Sequence, residues 1–336
     1  MLTTTPLAEH IYFLLCPNFS MIAFTMAIEP LRLANRMHGE PFYRWELISR
    51  DGAAVTASNG VEVAVAKSIA AVQRECLGPV RSRMVIVCSG IEVEEVQDPG
   101  LFAWLRRMYA QGAGIGGLCT AAWVLAEAGL LEGKRCAIHW ENLPGFAERF
   151  PSVIVKSVLF EVDQNIFTCA GGTASLDMML HLIGDSLGPE IVAKVCEQCL
   201  IDRIRAPDDR QRLPLGARIG VQNAKLLAIV ELMEANIAEP VSLIDMSQAS
   251  GLSRRHVERL FRQHMGRSPA RYYLDVRLER ARRLLRHSGM PIVEVAVASG
   301  FVSASHFSKR YRERYKVSPQ ADRREVEAGL VAPLTV

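Results

Sequence analysis

"GLSRRHVERLFRQHMGRSP", Gly251 to Pro269, is written again with variations as "GFVSASHFSKRYRERYKVSP", Gly300 to Pro319. Each copy follows a short helical pattern, breaks at glycine, resumes as a longer helix and stops at Ser-Pro, where proline cannot continue it. Ahead of the first copy, "SLIDMSQAS" (Ser242 to Ser250) opens on a capping serine and spaces Leu243, Met246 and Ala249 along one face. Ser253 caps the next helix, whose inner face is Val257, Leu260, Phe261 and Met265. In the second copy Ile292, Val295 and Ala298 pack the first helix, Gly300 turns, and Phe307 and Tyr311 anchor the second. Both copies spell helix, glycine turn, helix.

Helical geometry then decides what faces outward. At about 100° per residue, burying Val257, Leu260 and Phe261 turns Arg255, Arg259 and Arg262 to the opposite side, with Glu258 on its flank. The second copy presents Ser305, Ser308, Lys309 and Arg312 in the same way. Arginine on an exposed helix face fits a major groove, where it reads guanine bidentately and grips phosphate. A solvated basic helix explains one such copy equally well; the repeat favours a DNA reader. Between the copies, "ARYYLDVRLERARRLLRHSG" is an unbroken helical pattern with Tyr273, Leu278, Ala281 and Leu285 as its buried stripe. Such a helix would hold two readers about 34 Å apart on one face of double-stranded DNA.

Charge follows the same division. The chain has 336 residues and a net charge of +3, but from Ala217 onward 20 lysines and arginines face 12 acids, a net of +8, which leaves 19 against 24, or −5, before it. A basic end is the electrostatic footprint of a segment that meets polyphosphate. The boundary is "RAPDDRQRLPLGARIG" (Arg205 to Gly220), rich in proline, glycine and charge and without apolar periodicity. An apolar content of 49% with 22% charged residues excludes a disordered chain. No run is long and apolar enough to span a membrane, and the N-terminus lacks the features of a secretory signal, so a cytoplasmic location is expected. Eight cysteines scattered through the chain read as small buried hydrophobes. Cys196 and Cys199 form a lone CxxC without the further ligands zinc needs, and neither a metal nor a cofactor is expected.

Before the linker, β-branched runs alternate with helical stretches. Candidate strands are His10 to Cys16, Arg44 to Arg50, Met84 to Ser89, Ala113 to Cys119, Arg135 to Trp140 and Val153 to Val158. Amphipathic helices lie between several of them, as in Pro99 to Gly112, with Leu101, Leu105 and Met108 on one face. This alternation predicts a largely parallel sheet covered on both sides, with its ligands at the carboxyl ends of the strands. "GIGGLCTAAWVLAEAGLL" sets Cys119 at such an end, behind glycines and before a helix whose N-terminus is expected to lower the thiol pKa. His139 is expected to end the next strand, and Glu29 to reach the same place from the segment after the first. Trp123, Trp140 and Glu141 add aromatic faces and negative charge, a combination that suits a quaternary ammonium or guanidinium group. The alternatives are that both tryptophans are core or dimer contacts and His139 a structural histidine.

Residues 220 to 320 resemble the DNA-binding domain of the AraC/XylS family of transcription regulators, in "GLSRRHVERLF", "RLERARRLL", "SGFVSASHFSKRYRERY" and "VSP". The resemblance implies base contacts from Arg255, Glu258 and Arg259 and from Ala304, Ser305, Ser308 and Lys309, with Arg262 and Arg312 beside them. Lys316 departs from the family, which usually has glycine there, as at Gly266. Residues 8 to 200 are similar to the PfpI-like branch of the class I glutamine amidotransferase fold, including "AGGTASLDMMLHLIGD", and Glu29, Cys119 and His139 match its characteristic site by position. The peptidases of that fold follow the cysteine with histidine, whereas Thr120 stands here. Together the halves look like a GlxA-type regulator; "EPLRLAN", "ELISRDG" and "CAIHWENLPGF" are like the subgroup that senses arginine, carnitine, glycine betaine and related amines.

The expected fold is therefore α/β, a flavodoxin-like parallel sheet sandwich, followed by an all-α domain with two helix-turn-helix units. The expected domains are 1–204 for ligand sensing and dimerisation, 205–219 as linker, 220–325 for DNA binding and 326–336 as a tail. The resemblance implies no enzyme but a homodimeric activator of amine or amino-acid catabolism genes, with DNA, a small effector near Cys119 and RNA polymerase as partners. A cysteine-dependent amidase fused to a DNA-binding module is the alternative.

Overall fold

A computed structural model describes residues 10–75 and 83–327; Cys76 and the tail from 328 lie outside them. Two units meet in sequence between Gln211 and Arg212.

The first unit begins with β1 (His10–Leu15), α1 (Met21–His38), β2 (Arg44–Ser49), β3 (Val55–Thr56), β4 (Glu62–Val63), β5 (Lys67–Ser68) and α2 (Ile69–Glu75). It continues through β6 (Arg83–Cys88), α3 (Pro99–Ala110), β7 (Gly114–Leu118), α4 (Ala122–Glu127), β8 (Arg135–Ala137) and α5 (Leu143–Arg149). β9 (Ile154–Lys156), β10 (Phe160–Asp163), β11 (Ile166–Cys169), α6 (Ala174–Leu187) and α7 (Pro189–Cys199) complete it. Alternation along β1 shows why its apolar run is uninterrupted: Ile11, Phe13 and Leu15 join one core with α1, α6 and α7, while Tyr12 and Leu14 join another with α3 and α4. Burial on both faces is what a helix-covered parallel sheet demands. The seven-stranded order is β10-β11-β7-β6-β1-β2-β5, parallel except for β10 against β11, a flavodoxin-like arrangement.

Two expected strands are corrected. β8 and β9 shrink to three residues each and pair only with one another, outside this sheet. The place beside β7 goes to β11, with β10 at the edge. Those two strands form a hairpin in "FEVDQNIFTC", whose Phe160 and Val162 alternate with Glu161 and Asp163 before a turn at Gln164 with φ +57°. That alternation was a readable signal.

The second unit is all helical: α8 (Leu215–Ile219), α9 (Ala224–Ala235), α10 (Leu243–Ser250), α11 (Arg254–Met265), α12 (Pro269–His287), α13 (Ile292–Ala298), α14 (Ala304–Tyr315) and α15 (Pro319–Glu327). Serines 242, 253, 268 and 303 each accept a backbone N–H as the cap of α10, α11, α12 and α14. Met246 carries the burial of α10, while Ala249, expected on that inner face, is exposed. There are two small cores. One gathers Leu226, Met246, Val257, Phe261 and Tyr273; the other gathers Leu278, Leu285, Val295, Phe307 and Tyr311, so α12 is a wall of both. Lys316 closes α14 at φ +66° with its N–H on the Arg312 carbonyl, the same left-handed cap that Gly266 makes at φ +65° for α11. The missing glycine alters strain at that cap, not its geometry.

The segment read as linker is not uniform. Arg205 donates to Asp177 through its backbone N–H and its guanidinium, and Gln211 donates to the carbonyls of Ile138 and Val158, all within the first unit. Residues 215–219 are α8, whose Leu215 joins the first helical core.

Candidate nucleic-acid interface and cysteine elbow

α11 buries Val257, Leu260 and Phe261 and exposes Arg255, Glu258, Arg259 and Arg262. Arg259 Nη2 lies 3.2 Å from His256 Nε2 on the same helix. α14 buries Phe307 and Tyr311, exposes Ser305, Lys309 and Arg312, and leaves Ala304 and Ser308 half-buried. A shallow cleft of about 340 Å³ runs along Ser305, Ser308, Lys309, Arg312 and Glu313. The two turns differ in tightness. At Gly251, φ +64°, a Cβ would meet open space, whereas at Gly300, φ +76°, it would lie 2.3 Å from the Ile237 carbonyl oxygen.

In the first unit, β7 ends at Leu118 and Cys119 takes φ +62°, a left-handed conformation that L side chains rarely adopt. Neighbours hold it there. Thr120 is buried, with its hydroxyl donating to the Gly90 carbonyl at 2.7 Å and lying 2.8 Å from the Ser89 hydroxyl. Gly171, at φ +81°, comes so close that a Cβ on it would be 2.6 Å from the Cys119 Cβ. The His139 N–H donates to the Cys119 carbonyl at 3.1 Å, which draws the loop after β8 to the elbow. His139 Nδ1 is 3.7 Å from Glu141 Oε2, and its ring lies 5.7 Å from that of Trp140. Behind this turn, Asn142 donates to Glu94, whose carboxyl pKa is raised by burial against opposing hydrogen bonds. Ser89, Glu94 and Gly171 were not singled out in the sequence, and Thr120 only as standing where the fold's peptidases have histidine; "GGT" after β11 was the available signal for Gly171.

Electrostatics correct one expectation. Burial pushes the Cys119 thiol up to about 12, the Cys169 thiol adds to this, the Thr120 N–H opposes it and Glu141 raises it slightly further. α4 has only six residues, and its dipole does not outweigh desolvation. Burial also lowers the His139 pKa, against Glu141. At neutral pH the elbow therefore holds a neutral thiol and a neutral imidazole rather than a thiolate–imidazolium pair.

The loop carrying His139 and Glu141 meets Cys119, with the Trp140 ring beside that of His139; Trp123 and Glu29 do not join them. Trp123 is 3% exposed and packs edge-on against Phe146 and Phe150 in the core. Glu29 sits on the outer face of α1, paired with Arg32 at 2.6 Å, and lines a groove of about 780 Å³ with Arg36, Asp177, Cys199 and Arg205. Neither Cys119 nor His139 lines that groove. Helical phase is the reason, since Glu29 lies past Ala23 and Ala27, which turn toward the core. Among the described residues no group of three or more His, Cys, Asp or Glu is placed to hold a metal ion.

A parallel α/β layer joined to two helix-turn-helix units on one shared helix defines a DNA-binding regulator. The DJ-1/PfpI family matches residues 9–185, and a helix-turn-helix domain matches residues 246–325. HTH-type transcriptional regulator GbdR of Pseudomonas aeruginosa is 43% identical over 322 residues, 96% of this chain and 86% of that protein. CdhR, another HTH-type transcriptional regulator of the same organism, is 40% identical over 317 residues, 94% of this chain and 92% of that protein. A crystal structure of an AraC family transcriptional regulator from Pseudomonas putida superimposes with a TM-score of 0.51 at 28% identity, over 57% of this chain and 99% of that one. The chain belongs to this family of HTH-type transcriptional regulators, in which a DJ-1/PfpI domain precedes the DNA-binding module. It is a regulator, not an enzyme, as those relatives are.

Proposed function

We propose that this regulator acts as a cytoplasmic homodimer that activates genes for amine or amino-acid catabolism when a small effector occupies the Cys119 elbow. The His139 N–H on the Cys119 carbonyl at the carboxyl edge of β7, with Glu141 and the Trp140 ring beside the His139 imidazole, carries this reading. An aromatic face beside a carboxylate favours a quaternary ammonium or guanidinium group, and a neutral His139 adds no repulsion. Glycine betaine, carnitine and arginine have this chemistry. No helix among the described residues is long and apolar enough to cross a membrane, which is compatible with a cytoplasmic partner of DNA and RNA polymerase. In thermal unfolding of the full chain, a matching amine at 100 times its Kd is expected to add about 2.7 kcal/mol and raise the midpoint by a few degrees. Trp140→Ala and Glu141→Ala should abolish the shift and Glu29→Ala should keep it. A panel of these amines that shifts nothing, or a shift indifferent to Trp140 and Glu141, refutes the site.

For DNA, Arg255, Glu258 and Arg259 on α11 and Ala304, Ser305, Ser308 and Lys309 on α14 are assigned to base edges, with Arg262 and Arg312 on phosphates. Arg259→Ala is expected to cost about 1–3 kcal/mol at one base position and relax specificity there, whereas Arg262→Ala weakens all sequences alike. Titration of specific and random duplexes checks this. Equal losses on both from Arg259→Ala would remove that residue from the reading set.

A further inference from the structure

The two helical cores are separate and share α12, on which both recognition helices pack, and the turn at Gly300 also abuts Ile237 and Pro240 of the first unit. Polar ties along one stretch of α12 add to that packing. Tyr273 donates its hydroxyl to the Asn236 carbonyl and accepts the Val241 N–H, which anchors the first helix-turn-helix unit. Arg277 donates to the carbonyls of Ser299 and Gly300 at 3.0 and 2.6 Å and lies 4.3 Å over the Phe301 ring, which anchors the second. Between them is Asp275, whose side chain is 13% exposed. One of its oxygens accepts Arg267 Nη1 at 2.7 Å; the other lies 3.5 Å from Arg314 Nε and 3.8 Å from Arg271 Nε. Arg267 directly follows the cap of α11, and Arg314 is in the last turn of α14. Of these three ties, only Asp275 reaches both the residue that follows the α11 cap and the last turn of α14.

We propose that Asp275 is a positioning residue that locks the two recognition helices at the separation and angle needed to read two major-groove segments at once. This rests on the reading that both helices enter DNA. At about 100° per residue, Arg314 points about 180° around α14 from Ser305, so the lock acts from behind the reading face and touches no assigned DNA contact. Once one unit is bound, the other engages at an effective concentration that depends on how stiffly the two are joined. A loosened joint binds a well-spaced site less tightly and tolerates a badly spaced one better.

The test uses the full-length protein and a duplex selected from random DNA by the wild type. Two companions carry one base pair inserted between the groove segments, or the second segment scrambled. Insertion turns the segments by roughly 34°, and a rigid wild type should lose at least about tenfold in affinity. Asp275→Asn should lose about tenfold on the intact duplex, little more on the inserted one, and nothing on the scrambled one. Asp275→Glu, which keeps the carboxylate, should recover most of the loss. Arg314→Gln cuts the tie to α14 at a half-exposed side chain, together with a contact over the Tyr315 ring, and should reproduce the Asn pattern; it decides the matter if Asp275→Asn fails to fold. A wild-type spacing penalty in the variants, or equal losses on all three duplexes, overturns the role of Asp275. A wild type indifferent to scrambling overturns the two-reader reading itself, and this proposal with it.

Discussion

Asp322→Ala should destabilise the helical module by about 3–5 kcal/mol, as loss of one partner from a buried charge network does. Asp322 is fully buried in α15. Arg282 Nε donates to it at 2.8 Å, Arg286 Nη2 at 2.8 Å, and the Tyr311 hydroxyl also donates. Removing the carboxylate would strand Arg286, whose side chain is 9% exposed, and the buried phenol of Tyr311 on α14. Burial alone would raise this carboxyl pKa, but the hydrogen bonds from Tyr311, Arg286 and Arg282 outweigh it and the net direction is down. A carboxyl with a lowered folded pKa contributes stability above its ordinary range and loses it as pH falls through the folded value. Thermal unfolding of the full chain should therefore show this network intact from neutral pH to the ordinary carboxylate range and failing below it. Asp322→Asn, which keeps an acceptor, should lose less at neutral pH. A cost under about 1 kcal/mol for the alanine variant would mean that α15 is not held by this charge.

Gly171→Ala is the second large effect, expected at about 2–4 kcal/mol from left-handed strain and overpacking together. The added Cβ would lie 2.6 Å from the Cβ, 2.7 Å from the Cα and 2.9 Å from the Sγ of Cys119. Backbone beneath the elbow leaves little room to yield, because Thr120 is pinned to Ser89 and Gly90. Cys119→Gly removes both the colliding Cβ and the cost of a non-glycine residue at φ +62°. The double variant should therefore recover a good part of the loss, a coupling that a double-mutant cycle on the full chain measures directly. Additive costs would show that the two residues do not press on each other.

Much of the helical module was legible because its signals are local. Capping serines, turn glycines and a 3.6-residue apolar period lie within a few residues of each other, and Val257, Phe261, Phe307 and Tyr311 are buried as that period requires. The elbow was half legible. Its glycines announced a strand-to-helix turn at Cys119, but its partner loop was read as the next strand, and an alternating hairpin at residues 160–169 that takes the place beside β7 was passed over.

By itself, the sequence determined the helices of the two repeated units and the buried faces of α11 and α14, four strands of the parallel sheet, and that a basic double helix-turn-helix follows an α/β layer, because each follows from residue type and spacing along the chain. Only the tertiary structure decided that Glu29 turns away from Cys119, that Trp123 is core, that burial raises the thiol pKa, and that Asp275 lies between Arg267 and Arg314. Those facts depend on distances and desolvation between residues far apart in the chain, and neither quantity is a function of local sequence.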